Sequence, residues 1–290
     1  MLVSAVAFGL MPIMARFAYA SGVGVDELLF MRFVIGFVTM GVFLAASGRL
    51  VLPRRGDLLT LILLGGVAYF LQSGMYFTSL LYSPVAIVAL VLYTYPVFTT
   101  VGAFILGWER ISKPLAAVFV IAIAGLVLVA NPSGKQLGLG VLLALGASIV
   151  YTAYILGGSK VLRTVRGELG AFYVMGAAAI SYGLVGGVTN MIHLSFGLIG
   201  WFWVVMLTIT STVGGLPLFF IGLSIIGPSK AALLSLLEPL TSIFVSLVLF
   251  GNSLTALQWF GGLLILVATV ITALYRTPKP QDQRPITFGC

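Results

Sequence analysis

A chain of 290 residues that is 60% hydrophobic and only 8% charged cannot hide its apolar surface in water, because a soluble domain carries about 25% charged residues. It belongs in a bilayer, where only helices or a closed barrel can span, and long uncharged runs without apolar/polar alternation select helices. The net charge of +8 does not point to nucleic acid, since the basic residues sit in short clusters between apolar runs, as membrane orientation requires.

A span needs roughly 20 mostly apolar residues. Ten such runs follow one another: 1–20, 27–47, 57–80, 84–107, 113–131, 137–157, 168–191, 196–223, 229–250 and 254–275. The expected fold is an all-α integral membrane protein of ten transmembrane helices, with no room for a soluble domain. Linkers are short and marked by Gly22, Pro53, Asn131-Pro132-Ser133-Gly134 and Asn252. No cleavable signal is visible, and the abrupt apolar start at Leu2 leads us to expect a short preceding tail. Residues 276–290 are polar and Pro-rich, and read as a disordered tail. The one cysteine, Cys290, cannot form an internal disulfide.

Residues 76–112 have an echo in residues 220–255. The first stretch turns at Ser83-Pro84, carries Pro96 inside the fourth run and ends in Glu109-Arg110-Ile111-Ser112. The second turns at Gly227-Pro228, carries Pro239 inside the ninth run and ends in Leu254-Thr255. The copies lie 143–144 residues apart, half the chain. This divides the protein into a first five-helix repeat, 1–131, a second, 132–275, and the tail. Of the Lys and Arg residues, twelve fall on one side and three, Arg16, Arg32 and Lys135, on the other. Both termini are therefore expected in the cytoplasm. An odd number of helices per half then makes the two repeats inverted around a central cavity.

Pro96 and Pro239 remove backbone N–H groups, and are expected to kink their helices and free the carbonyls of Leu92 and Ser235. A freed carbonyl is tolerated where it lines a cavity; a purely structural kink is the alternative. Glu238 is the acid well inside an apolar run. It could attract a substrate ammonium, carry a coupling proton or serve as a hydrogen-bonded structural group. The first copy has Tyr95 in its place, among Tyr93, Thr94, Thr99 and Thr100. The third run adds Tyr69, Gln72 and Tyr76 on one face, with Ser73, and the sixth adds Ser148, Tyr151 and Tyr154. Tyr69, Gln72, Tyr76, Tyr95, Ser148, Tyr151 and Glu238 form the candidate substrate site, with Pro96 and Pro239 as hinges. Packing or interfacial positions are the plainer reading of each tyrosine. Arg16 and Arg32 are expected near outer helix ends, snorkelling or paired with Asp26 and Glu27, with capture of a substrate carboxylate at the outer mouth as the sharper alternative. Trp201 and Trp203 read as an interfacial belt, His193 as a loop residue, and Gly183 with Gly187 as a close helix contact.

Several patterns carry a resemblance. They are Met31-Arg32-Phe33, Thr78-Ser79-Leu80-Leu81-Tyr82 with Pro84-Val85-Ala86, Gly107-Trp108-Glu109-Arg110-Ile111-Ser112 after Pro96, and Leu236-Leu237-Glu238-Pro239. In order and spacing the chain resembles the EamA-type family of the drug/metabolite transporter superfamily, over nearly its whole length. It departs from the pattern at Phe8-Gly9, at Asn252, and in lacking an acid in its first run. The resemblance implies a bacterial inner-membrane secondary transporter that exports small metabolites by alternating access, amino acids including aromatic ones first among them. A nucleotide-sugar, cationic-drug or other metabolite carrier is the alternative within that superfamily. A non-transporting scaffold or receptor subunit is the alternative from another class. The expected partners are a small-molecule substrate and the lipid bilayer, with no nucleic acid. No cofactor, metal cluster, phosphate loop or catalytic constellation is evident, so an enzyme is not expected. Oligomeric state and energy coupling are left open.

Overall fold

The computed structural model describes residues 1–83, 88, 91–108, 113–130, 138–189, 192–250 and 255–274. Among them every regular element is a helix: α1 (Leu2–Ala20), α2 (Val25–Ala46), α3 (Arg55–Tyr82), α4 (Tyr95–Ile105), α5 (Lys113–Ala130), α6 (Leu139–Val161), α7 (Gly167–Thr189), α8 (Leu198–Ile226), α9 (Pro228–Leu234), α10 (Leu237–Phe250) and α11 (Ala256–Leu274). Six of these, α1, α2, α3, α6, α7 and α8, are long and apolar enough to cross a membrane. The expectations for Pro84–Ala86, Glu109–Ser112, Asn131–Gly134, Asn252 and the tail lie outside the described residues.

Side chains are sorted as lipid demands. Val38, Val42, Phe43, Ile180, Leu184 and Val188 are exposed, whereas Ser73, Ser148, Thr208, Ser211 and Thr212 are buried. Lipid solvates apolar groups as well as a protein core does, so the polar atoms are what must turn inward.

The two proline-bearing runs correct the expectation of single kinked helices. Tyr93 and Thr94 form a turn before α4, and Ser235 and Leu236 form one between α9 and α10. Pro96 is then the second residue of α4 and Pro239 the third of α10. A missing N–H is tolerated in a first helical turn, where it has no intrahelical acceptor, so each proline opens a new helix. The carbonyl of Ser235 is not freed: it accepts the Glu238 N–H at 2.9 Å. Before the second break, Gly227 between α8 and α9 has φ +80°, a left-handed backbone that suits glycine, and Pro228 starts the next helix.

A second irregularity is not legible from hydropathy. α3 widens to a π-helix over Leu64–Tyr69, and α8 does so over Thr208–Gly215. These positions correspond under the internal repeat, and π stretches inside α-helices are frequent at functional sites.

The helices pack in matching pairs. α1 lies against α8 and α10, while α6 lies against α3 and α4. α2 packs on α7, α5 on α11, and α9 on α4. Glycines set the closest approaches. A Cβ on Gly9 of α1 would stand 2.6 Å from the Glu238 carbonyl oxygen, and one on Gly125 of α5 would stand 2.7 Å from the Gly261 carbonyl oxygen of α11. The Gly183/Gly187 pair does not act this way: a Cβ on Gly183 would reach Phe30, but one on Gly187 would meet nothing within 4 Å.

Candidate functional site

The two breaks meet. Glu238, the second residue of α10, is 9% exposed. Its Oε2 accepts a 2.9 Å hydrogen bond from the Tyr93 hydroxyl, which stands in the turn before α4. Its Oε1 is buried with no hydrogen-bond partner among the described residues. The sequence places these groups here because a helix that ends and restarts lets side chains of the turn point inward. Thr94, the next residue of that turn, exchanges a 2.9 Å hydrogen bond with Ser148 of α6. One turn of chain is thus tied both to the second broken segment and to a continuous helix.

From this point a run of aromatic rings crosses the interior. Tyr93 lies 5.9 Å from Tyr95, and Tyr95 meets Tyr151 edge-on at 4.7 Å. Tyr151 stacks on Tyr154 at 5.7 Å, and Tyr154 stacks on Tyr69 at 4.9 Å. Phe219 of α8 closes over Tyr151, and Phe220 over Tyr154. The hydroxyls of Tyr95 and Tyr154, and those of Thr99 and Thr100, are buried without hydrogen-bond partners among the described residues. Unmet donors and acceptors at membrane depth are costly. A wall of rings that also offers unused hydroxyls has the character of a ligand pocket, apolar with a few polar anchors.

Arg32 stands at the far end of this run. It is the eighth residue of α2, about 10 Å from the helix start, and is 1% exposed. Its Nε donates to Thr212 Oγ1 at 3.0 Å, one terminal nitrogen to Met11 Sδ at 3.3 Å and the other to the Tyr69 hydroxyl at 3.0 Å. The guanidinium carbon lies 4.7 Å from the Phe33 ring centre, 5.5 Å from Phe77 and 5.8 Å from Tyr69. Thr212 belongs to the π stretch of α8, and Tyr69 ends that of α3. The two distorted segments therefore present the groups that hold the arginine.

Of the sequence-chosen residues, Tyr69, Tyr95, Ser148, Tyr151 and Glu238 are brought together by direct contacts in this chain of groups. Tyr76 and Gln72 are buried on α3 as well, and Tyr76 meets Phe77 edge-on at 5.4 Å. Arg32 corrects the expectation of an interfacial charge paired with Asp26 or Glu27. Glu27 instead caps: Oε2 accepts the Gly24 N–H at 2.7 Å, and Oε1 accepts the His193 N–H at 2.9 Å. Arg16 does remain exposed. Trp203 stacks on Phe17 at 4.6 Å and Trp201 leans on Phe196 at 4.8 Å, and both are half-buried. Sequence reasoning set Arg32 at the outer mouth and Tyr93 beside the site rather than in it, and did not single out Thr212. The signal for Arg32 was its depth: two helical turns inside an apolar run is too far for an easy return to the surface.

The Tyr93–Glu238 bond yields a direct test. In Tyr93→Phe the ring stays and the donor goes, leaving the second carboxyl oxygen unmet. A buried acceptor left without its partner costs about 1–3 kcal/mol. The thermal unfolding midpoint of the purified protein should fall, and Glu238→Leu in the same background should recover part of the loss, since the orphaned group is then gone.

Among the described residues no group of three or more His, Cys, Asp or Glu side chains could hold a metal ion. What the arrangement offers is a buried acid, a buried cation and an aromatic wall between them, a set of groups that can hold a ligand.

Comparison with known proteins agrees in kind. The chain matches the EamA-like transporter family in two segments, residues 1–131 and 138–274. It is similar to an uncharacterized transporter of Archaeoglobus fulgidus, 28% identical over 276 residues that cover 92% of this chain and 93% of that one. A stretch of 57 residues, 20% of this chain and 19% of the relative, is 44% identical to the uncharacterized inner membrane transporter YicL of Salmonella typhimurium. A solved crystal structure, 20% identical, shares the fold with a TM-score of 0.78 and is covered over 94% of both chains.

Proposed function

The chain belongs to the EamA-like transporter family and is a multi-pass membrane transporter, not an enzyme, and on that premise we propose that it exports amino acids, aromatic ones included, by alternating access. The observation that carries this reading is the Tyr93–Glu238 bond, which joins the turn before α4 to the start of α10 inside a tyrosine-lined interior. Broken helices at a midplane site are the means by which many secondary carriers bind polar substrates without exposing backbone to lipid.

In this reading the chain is two inverted five-helix repeats, 1–131 and 132–275, around one cavity. The matched packing of α1 and α6, the corresponding π stretches and the paired breaks support it. The Lys and Arg distribution supports cytoplasmic termini, in a bacterial inner membrane. Tyr69, Gln72, Tyr76, Tyr95, Ser148, Tyr151 and Glu238 line the substrate site, and Pro96 and Pro239 start the segments that move. A zwitterion with an aromatic side chain fits an acid, hydroxyls and ring faces.

Counterflow in proteoliposomes tests the proposal. Liposomes loaded with unlabelled phenylalanine should take up labelled phenylalanine well above protein-free controls. Parallel panels carry nucleotide sugars and a lipophilic cation. Exchange confined to one of those panels keeps the carrier and replaces the substrate.

A further inference from the structure

Resting on the transport reading above, we infer that Arg32 is the receptor for the substrate's carboxylate, and so sets the substrate class as one bearing an anionic group.

Among the described residues the buried charged side chains are Glu27, Arg32 and Glu238. Glu27 is committed to the Gly24 and His193 N–H groups. That leaves one cation and one carboxyl group in the interior, and they do not pair: among the described residues the ion pair is Arg166 with Glu168, elsewhere. A buried cation is retained against its desolvation cost only when something compensates it. The compensation Arg32 has is neutral, from two hydroxyls, a thioether and three ring faces. These groups orient the guanidinium but leave its net charge unmatched.

The geometry favours a ligand over a merely structural cation. A guanidinium carries more N–H groups than these three bonds use. One of the three goes to Met11 sulfur, a weak acceptor that a carboxylate would replace with gain. Thr212 and Tyr69 fix the plane of the fork from opposite helices, which prepares it for a two-pronged anion. The Tyr69 hydroxyl that receives Arg32 belongs to the ring run leading to Glu238, so the arginine addresses the same interior. A carboxylate is favoured over a phosphate ester because Arg32 is the one buried cation among the described residues, and it would leave half the charge of a dianion unmatched.

The test compares phenylalanine with phenethylamine, which keeps ring and ammonium but lacks the carboxylate, and with a phosphomonoester of similar size. Wild-type protein in proteoliposomes should exchange phenylalanine better than the amine by on the order of a hundredfold, the scale for losing one partner of a buried charge pair. Arg32→Met should lose phenylalanine exchange and collapse that ratio, while residual amine exchange persists. Arg32→Lys keeps the charge without the fork and should sit between them, chiefly through a raised half-saturation concentration. The inference is overturned if the wild type handles amine and amino acid alike, a result that needs no variant to fold. It is overturned equally if folded Arg32→Met loses both in the same proportion, or if the phosphomonoester is preferred. Exchange of neither amino acid nor analogue by the wild type overturns the amino-acid reading itself, a failure distinct from a lost preference.

Discussion

If the carrier takes amino acids as proposed, Glu238→Gln should lower their exchange by on the order of a hundredfold while leaving the protein folded. The side chain keeps its shape and one carbonyl oxygen, so the Tyr93 hydroxyl, at 2.9 Å in the wild type, still finds an acceptor. What disappears is a carboxyl group able to take up a negative charge opposite a substrate ammonium, and a donor amide faces that place instead. The specific sign is a change in preference. Loss should be large for phenylalanine and small for a deaminated analogue that carries only the carboxylate. If Glu238 also carries a coupling proton, the variant exchanges independently of pH. Undiminished phenylalanine exchange in Glu238→Gln would remove the acid from the substrate site and leave it a structural partner of Tyr93.

The second large effect lies at the closest approach of α1 and α10. Any side chain at Gly9 places its Cβ 2.6 Å from the Glu238 carbonyl oxygen and 2.6 Å from Thr241 Cβ. Neither neighbour is the loose end of a flexible chain, so a helix must shift. The Gly9 carbonyl also accepts the Ser242 hydroxyl, which ties the same two helices. Overfilling a close-packed contact costs about 1–3 kcal/mol. Gly9→Val should exceed Gly9→Ala, and both should lower the unfolding midpoint and impair exchange, because the displaced backbone carries Glu238. Thr241→Gly should restore part of the loss in Gly9→Ala, since the two residues are in contact and their effects do not add. An unaltered midpoint in Gly9→Val would show that α1 and α10 can separate freely.

The membrane class, the helical fold and the family were legible because they depend on coarse signals. Charge scarcity and run length require nothing of tertiary structure. The local motifs around Arg32-Phe33 and Glu238-Pro239 survived as words in the chain. Detail was lost where two interactions compete over a few residues. A proline inside an apolar run predicts a kink, but whether the helix bends or restarts depends on whether the turn can be satisfied elsewhere. Here Ser235 accepts the Glu238 N–H, Thr94 exchanges a bond with Ser148, and restarting wins. The π stretches have no hydropathy signature at all. Gly65-Gly66 and Gly214-Gly215 within them are what the eye could have marked, since backbone contacts such as that of Gly65 with Val174 favour glycine.

The candidate site shows the same division. Tyr69, Tyr95, Tyr151 and Glu238 were found because polar groups in an apolar run announce themselves. The sequence puts Arg32 near an outer helix end, snorkelling, paired with a neighbouring acid or open to a substrate carboxylate. Helical spacing decided otherwise. Glu27 points back to the helix start and to the 7–8 linker, while Arg32 faces Tyr69 and Thr212. A charge is placed by what surrounds it in space, and that arrives only with the packing of α1, α3 and α8.

Accessibility of Ser148 reports whether the interior opens to each side in turn. In a Cys290→Ser background, Ser148→Cys gives a single thiol in a position that is 0% exposed here. A membrane-impermeant thiol reagent would be applied separately to the two faces of the membrane. Labelling is expected from both faces, with saturating substrate changing both rates. Labelling from one face alone under every condition, or from neither, would contradict alternating access through this cavity.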